Sequence, residues 1–281
     1  MMTRAEKEKW KRIRNTLTPA FSGLKMKQMM PLMNSCCDTL MRKLSKVADK
    51  EQSVDMFKFH QALTMDVIIS AAFGIEANPQ ENPDDPVAMA ARNSMNRSTF
   101  ERILLNVLSV MPFGTKIISM FPNFLMANSM PLLKIAEEMV NIKRAGKANL
   151  SRKDMLDVML AASDDPNVPE SKKLTDMEVI AQSFVFLIAG YETSSNTLGL
   201  TSYHIATHPD VQDKLQQEID SVWTDGEQLP TYETVNELPY LDMVISETLR
   251  IYPPGTDVLL FKTIRQSLSY YNGYLINTDL Y

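Results

Sequence analysis

Apolar residues recur at helical spacing along most of the chain, and the breaks between the runs are sharp. Residues Thr3 to Asn15 read as a charged helix, closed by Thr18-Pro19. A second run spans Leu24 to Val47, and a third Asp55 to Phe73, where Phe59, Leu63, Val67 and Ile68 share a face before a Gly74 stop. Asn78 to Pro86 is a Pro/Asn/Asp connector. Met111 to Met130 is apolar but irregular, carrying Phe113 and Phe121 in short helices or a mobile lid, and residues 131–147 resume a helix. Ser163 to Pro169 reads as a second exposed loop.

Beyond it the pattern sharpens. Thr175-x-x-Glu178 has capping-box spacing, and the helix it opens runs unbroken to Thr207, before Pro209. Its roughly 30 residues extend about 45 Å at the helical rise. The first half is apolar nearly all round, from Val179 and Ile180 through Phe184 to Ala189, which places it in the middle of a core. Pro209 suits the first turn of another helix ending near Trp223. Pro239 opens one from Tyr240 to Ile251, stopped by Pro253-Pro254. Only the tail changes period: Leu268 to Tyr270 and Tyr274 to Ile276 flank Asn272-Gly273, a hairpin signal. The expectation is a mainly α protein with a long buried central helix and a small β-hairpin near the C-terminus.

Nine glycines and fifteen prolines in 281 residues, with 20 Met, agree with long helices and a pliable interior. The formal net charge of −5 supplies no basic field to recruit nucleic acid. Two adjacent cysteines, Cys36 and Cys37, exclude a disulfide scaffold and read as a buried, inert pair in mid-helix. There is no G-x-G-x-x-G, no P-loop and no G-x-S-x-G elbow. His204 and His208 stand four apart without a third ligand beside them, which favours a structural role over a metal site.

Three features point to chemistry. Ala189-Gly190-Tyr191-Glu192-Thr193 puts two small residues, an acid and a hydroxyl inside the buried helix. The small pair lets something large lie against the backbone, and the Thr193 hydroxyl can bond back one turn. The bland alternative is a glycine for helix packing and a satisfied core threonine. Glu247 and Arg250 share a face at i, i+3, a spacing that is mostly a surface ion pair. Trp10 and Arg14 at i, i+4 bring an indole N–H and a guanidinium together, a clamp for a carboxylate.

Taken in order, Trp-x-x-x-Arg, Ala-Gly-Tyr-Glu-Thr, His208-Pro209-Asp210-Val211 and Glu-x-x-Arg resemble the cytochrome P-450 family. The stretches Glu8 to Arg14, Ala206 to Val211 and Tyr240 to Val244 resemble its microsomal, drug- and steroid-oxidising family-three branch. The likeness covers residues 1–281 as part of one cytochrome P-450 domain. It implies a haem-thiolate monooxygenase of lipophilic compounds on the cytosolic face of the endoplasmic reticulum membrane, with haem b as cofactor and electrons from NADPH through a separate reductase. By the same resemblance, Trp10 and Arg14 hold haem propionates, Ala189, Gly190, Glu192 and Thr193 form the oxygen-activation groove, and Glu247 with Arg250 locks the haem-side core. Phe113 and Phe121 fall at the substrate lid.

The departures are as specific. The family's axial ligand is a cysteine in a Phe-x-x-Gly-x-x-x-Cys-x-Gly loop, and neither Cys36 nor Cys37 matches it. Asp257 to Lys262 stands where the family carries a haem-facing arginine, and likeness returns at Asn272 to Ile276. The expectation is a central fragment, without anchor or cysteine loop, that is inactive as it stands. The rival expectation is a non-catalytic helical scaffold that binds a lipophilic ligand or a protein partner.

Overall fold

The computed structural model describes residues 7–51, 53–75, 79–82, 84–95, 98–110, 120, 127–146, 154–164, 166–167, 169, 173–223 and 230–254. Eleven α-helices occur among them: α1 (Lys7–Leu17), α2 (Gly23–Ala48), α3 (Met56–Phe73), α4 (Pro86–Met95), α5 (Thr99–Val110), α6 (Met130–Arg144), α7 (Met155–Asp164), α8 (Asp176–Thr207), α9 (Pro209–Val222), α10 (Tyr232–Asn236) and α11 (Pro239–Ile251). There is no strand among the described residues. The expected hairpin at 268–276, the segment Asp257 to Lys262, and Phe113 and Phe121 lie outside them.

The helices form where the caps dictate. Gly74 ends α3 in the left-handed region (φ 61°), its N–H bonded to the Ser70 carbonyl, a conformation that glycine adopts without a Cβ penalty. At the start of α8 the Thr175 hydroxyl accepts from the Glu178 N–H and the Glu178 carboxylate accepts from the Thr175 N–H, the full capping box. Glu218 of α9 accepts from the N–H groups of Tyr240 and Leu241 (2.7 and 2.9 Å), neutralising the start of α11 and docking the two helices. Pro31 lies inside α2 on its exposed side, and the carbonyl that it frees belongs to Lys27, which is exposed as well.

Helices α3 and α8 run antiparallel at the centre. Thr64 donates to the Tyr191 carbonyl (3.0 Å), and His60 Nε2 meets Ser202 Oγ at 2.9 Å. Around this pair α1, α4, α6 and α7 enclose one apolar cluster holding Ile13, Met65, Phe73, Leu132, Leu156, Val179 and Leu187. The first half of α8 is thus the buried central element its composition requires.

Three helices have bounds that the hydrophobic pattern alone does not give: α4, α5 and α7. Asp85 accepts from the N–H groups of Val87 and Ala88 (2.9 and 3.0 Å), so Pro86 is the first residue of a helix and not the end of a loop. Asp154 and Asp157 cap α7 reciprocally, each N–H donating to the other's carboxylate at 3.0 Å. The cysteines are a correction. Cys36 is buried, while Cys37 is exposed, because consecutive helical residues point about 100° apart and cannot share a core. Burial beside Asp66 pushes the Cys36 thiol up to about 12, so it is a protonated packing group.

Candidate functional site

The site spans α1 and α8, with α1 packed on α7 and tied to the start of α8 through side chains on Glu178. Helix α1 buries Ile13 and Leu17 in the core and turns Arg12 toward the α8 cap. The Arg12 guanidinium donates to the Lys173 carbonyl and to Glu178 Oε1 (2.6 Å), and Lys9 reaches the same oxygen at 3.1 Å. Further along, Phe21 packs on Phe186 with ring centroids 5.8 Å apart. Nothing local in the sequence announces the Arg12 contact, since the partners lie 166 residues apart. Glu178 alone carried a signal, its place in the capping box.

Burial by itself pushes the Glu178 carboxyl up, but Arg12, the Thr175 N–H and Lys9 outweigh it and hold it at about 2. A carboxyl held below its ordinary 4.5 stabilises the fold above that value and loses its contribution as pH falls toward 2. Glu178→Gln is therefore expected to lower the urea midpoint at pH 7, and the gap to the parent chain to close between about pH 4.5 and 2. A gap unchanged across that window would contradict this anchoring of α1.

With Arg12 and Ile13 committed inward, Trp10 and Arg14 share the remaining face. The guanidinium carbon lies 4.9 Å from the Trp10 ring centroid, and Arg14 is exposed. Among the described residues no carboxylate pairs with it. The two side chains are therefore in contact on the outer face of α1.

On α8, Ala189 and Thr193 lie one turn apart on an exposed strip. Thr193 Oγ1 donates to the Ala189 carbonyl (2.6 Å) and Thr197 Oγ1 to the Thr193 carbonyl (3.0 Å). These are the back-bonds that loosen and bend a helix locally. Gly190 serves a different contact: a Cβ there would stand 2.7 Å from Ile68 Cδ1, so its missing side chain admits α3. Glu192 is half-buried, with Oε2 shielded from water. The structure brings Ala189 and Thr193 together on one open face and turns Gly190 to a neighbouring helix.

Glu247 and Arg250 form a bidentate pair, Nε to Oε2 and Nη2 to Oε1, both 2.7 Å. Their side chains are 56% and 70% exposed, so among the described residues the pair is an intrahelical surface contact. No group of three or more His, Cys, Asp and Glu side chains suited to a metal occurs among the described residues. No helix among them is long and apolar enough to cross a membrane.

Comparison with known proteins gives the same reading over nearly the whole chain. The family model for Cytochrome P450 matches residues 1–280. Cytochrome P450 3A6 of Oryctolagus cuniculus is 39% identical over 254 residues, covering 89% of this chain and 50% of that protein. Cytochrome P450 3A5 of Homo sapiens is 37% identical over 257 residues (89% and 49%), and Cytochrome P450 3A41 of Mus musculus 39% over 254 (88% and 49%). The chain spans about half the length of these relatives. With the Trp10–Arg14 contact on α1, a back-bonded threonine on the open face of a long central helix, and a family match from the first residue almost to the last, the chain belongs to the cytochrome P450 family.

Proposed function

We propose that this chain is the helical portion of a monooxygenase domain acting on lipophilic compounds, and that it does not oxidise them by itself. The observation that carries the first half is the open α8 face, where Ala189 leaves room and Thr193 holds its hydroxyl at 2.6 Å from the carbonyl one turn back. Haem, when bound, supplies the redox and oxygen chemistry.

The residues present fit the edge and one face of that group. Trp10 and Arg14 offer an N–H donor and a cation to carboxylates, and Arg14 meets no carboxylate among the described residues. The small side chain of Ala189 lets a flat group approach the α8 backbone. Thr193 positions a hydroxyl there, and Glu192, half-buried, is the neighbouring acid in the sequence. Glu247 and Arg250 order the surface of α11.

The thiolate requirement is not met. The sequence has two cysteines, both on α2, which packs on α3. Cys36 is a buried thiol held protonated, and partial desolvation at the helix surface with the neighbouring Asp38 charge pushes the exposed Cys37 up as well. Neither has the electropositive surroundings that make a thiolate ligand. In the longer relatives' context the proposed activity uses a reductase fed by NADPH, at the endoplasmic reticulum membrane.

Haemin titration of the full chain tests the clamp. Arg14→Gln is expected to weaken binding about tenfold, the value of a charge-assisted hydrogen bond, while Arg42→Gln, on the α2 surface, leaves it unchanged. Equal weakening by both substitutions would contradict the assignment.

A further inference from the structure

Helix α1 carries two polar flanks on either side of one buried ridge. At about 100° per residue, Lys9 and Arg12 stand about 40° and 100° to one side of Ile13, and Trp10 and Arg14 about 60° and 100° to the other. Ile13 and, one turn on, Leu17 are buried. Apolar contact is non-directional, so this ridge sets the depth of α1 without fixing its roll about the helix axis.

The roll is fixed on the first flank. Glu178, its side chain 5% exposed, meets Arg12 Nη2 at 2.6 Å and Lys9 Nζ at 3.1 Å through the same oxygen, Oε1. Arg12 donates in addition to the Lys173 carbonyl. The acceptor is itself held, because Oε2 takes the Thr175 N–H at 3.0 Å in the capping box of α8. Two charge-assisted contacts thus run from one side of α1 to the rigid start of the central helix. The second flank has no such support. Arg14 is exposed, and the described contact of its guanidinium is with the Trp10 ring at 4.9 Å. Its direction follows from how α1 is rolled.

We infer that Glu178 is a positioning residue for the carboxylate-binding edge: through Arg12 and Lys9 it sets the roll of α1, and with it where Trp10 and Arg14 point. This role rests on the proposed reading of those two residues toward haem carboxylates. A binding group must be held within about 10–20° of its working direction, and a neutral side chain at position 178 weakens both contacts that do so. The Glu178 carboxyl, held at about 2, is ionised at neutral pH, so the tie is in force there.

Haemin titration of the full chain at pH 7 tests this with a double-mutant cycle. Beside the tenfold loss expected for Arg14→Gln, Glu178→Gln is expected to weaken haemin about three- to tenfold. In the double variant the second substitution should add less than about twofold, because a misdirected Arg14 has little left to lose. Asp85→Ala removes the cap of α4 and lowers stability elsewhere, and should leave the affinity unchanged. A readout without haemin comes from Trp223→Phe, which leaves Trp10 as the sole tryptophan. In that background Glu178→Gln should raise acrylamide quenching of Trp10, and Asp85→Ala should not. Arg12→Gln, which keeps Lys9 on Glu178, is a milder second variant that should move both readouts the same way. Additive losses in the cycle, full haemin affinity or unchanged Trp10 quenching in Glu178→Gln, or equal weakening by Asp85→Ala would overturn the role of Glu178 and leave the reading of Arg14 standing. Full affinity in Arg14→Gln would overturn that reading and the role with it.

Discussion

Lys143→Ala will destabilise the folded chain by about 3–5 kcal/mol, the cost of breaking a buried ion pair. The Lys143 and Asp154 side chains are each 1% exposed, and the ammonium group also reaches Asp157 Oδ1 at 3.2 Å. The pair fastens the last turn of α6 to the cap of α7, so the substitution strands a carboxylate in the core and loosens the capping residue together. Burial already pushes the Asp154 carboxyl up, against the pull of Lys143. In the variant Asp154 keeps its burial and the Asp157 N–H but loses the ammonium group, so it takes a proton more readily, which relieves the stranded charge. The deficit should therefore shrink as pH falls from 7 toward 5 in urea titrations followed by circular dichroism. Lys143→Met combined with Asp154→Asn, which removes both charges and keeps a capping side chain, should recover most of the loss. A Lys143→Ala chain within about 1 kcal/mol of the parent, the range of a surface pair, would contradict burial of this contact.

Gly190→Leu carries the second large effect. Even a single methyl there would meet Ile68 Cδ1 at 2.7 Å and Cγ1 at 3.0 Å. A methyl displaces only the end of that chain and gains helix propensity of about 1 kcal/mol over glycine, so Gly190→Ala should be nearly neutral. The leucine must push α3 away and should cost about 1–3 kcal/mol. Ile68→Ala, which empties the contested space, should return part of that loss in a double-mutant cycle. Additive effects of the two substitutions would show that Gly190 does not face α3.

These two contacts mark where the sequence was legible. Helix ends with their own chemistry were readable to within a few residues: the Thr175–Glu178 box, Gly74, and Pro209 and Pro239 at first turns. Short α4 and α7 were not. Asp85-Pro86 sits among other loop-forming residues, and the ten residues of α7 give too few turns for a clear apolar face. Within the site, Trp10 with Arg14 and Ala189 with Thr193 were legible because each pair lies one turn apart on a single helix. Arg12 with Glu178, Gly190 with Ile68 and Lys143 with Asp154 depend on how helices pack, which no local spacing encodes. The adjacent cysteines misled for a simpler reason: composition says that cysteine is buried, but the helix separates neighbours onto different faces.

The division between what this chain can hold and what it cannot ligate is open to one spectrum. Haemin is added to the full chain, reduced and exposed to carbon monoxide, and the Soret region is recorded. The account predicts no band of the strongly red-shifted kind given by a thiolate-ligated ferrous carbonyl. A band of that kind, lost on replacing Cys36 or Cys37 by alanine, would contradict it.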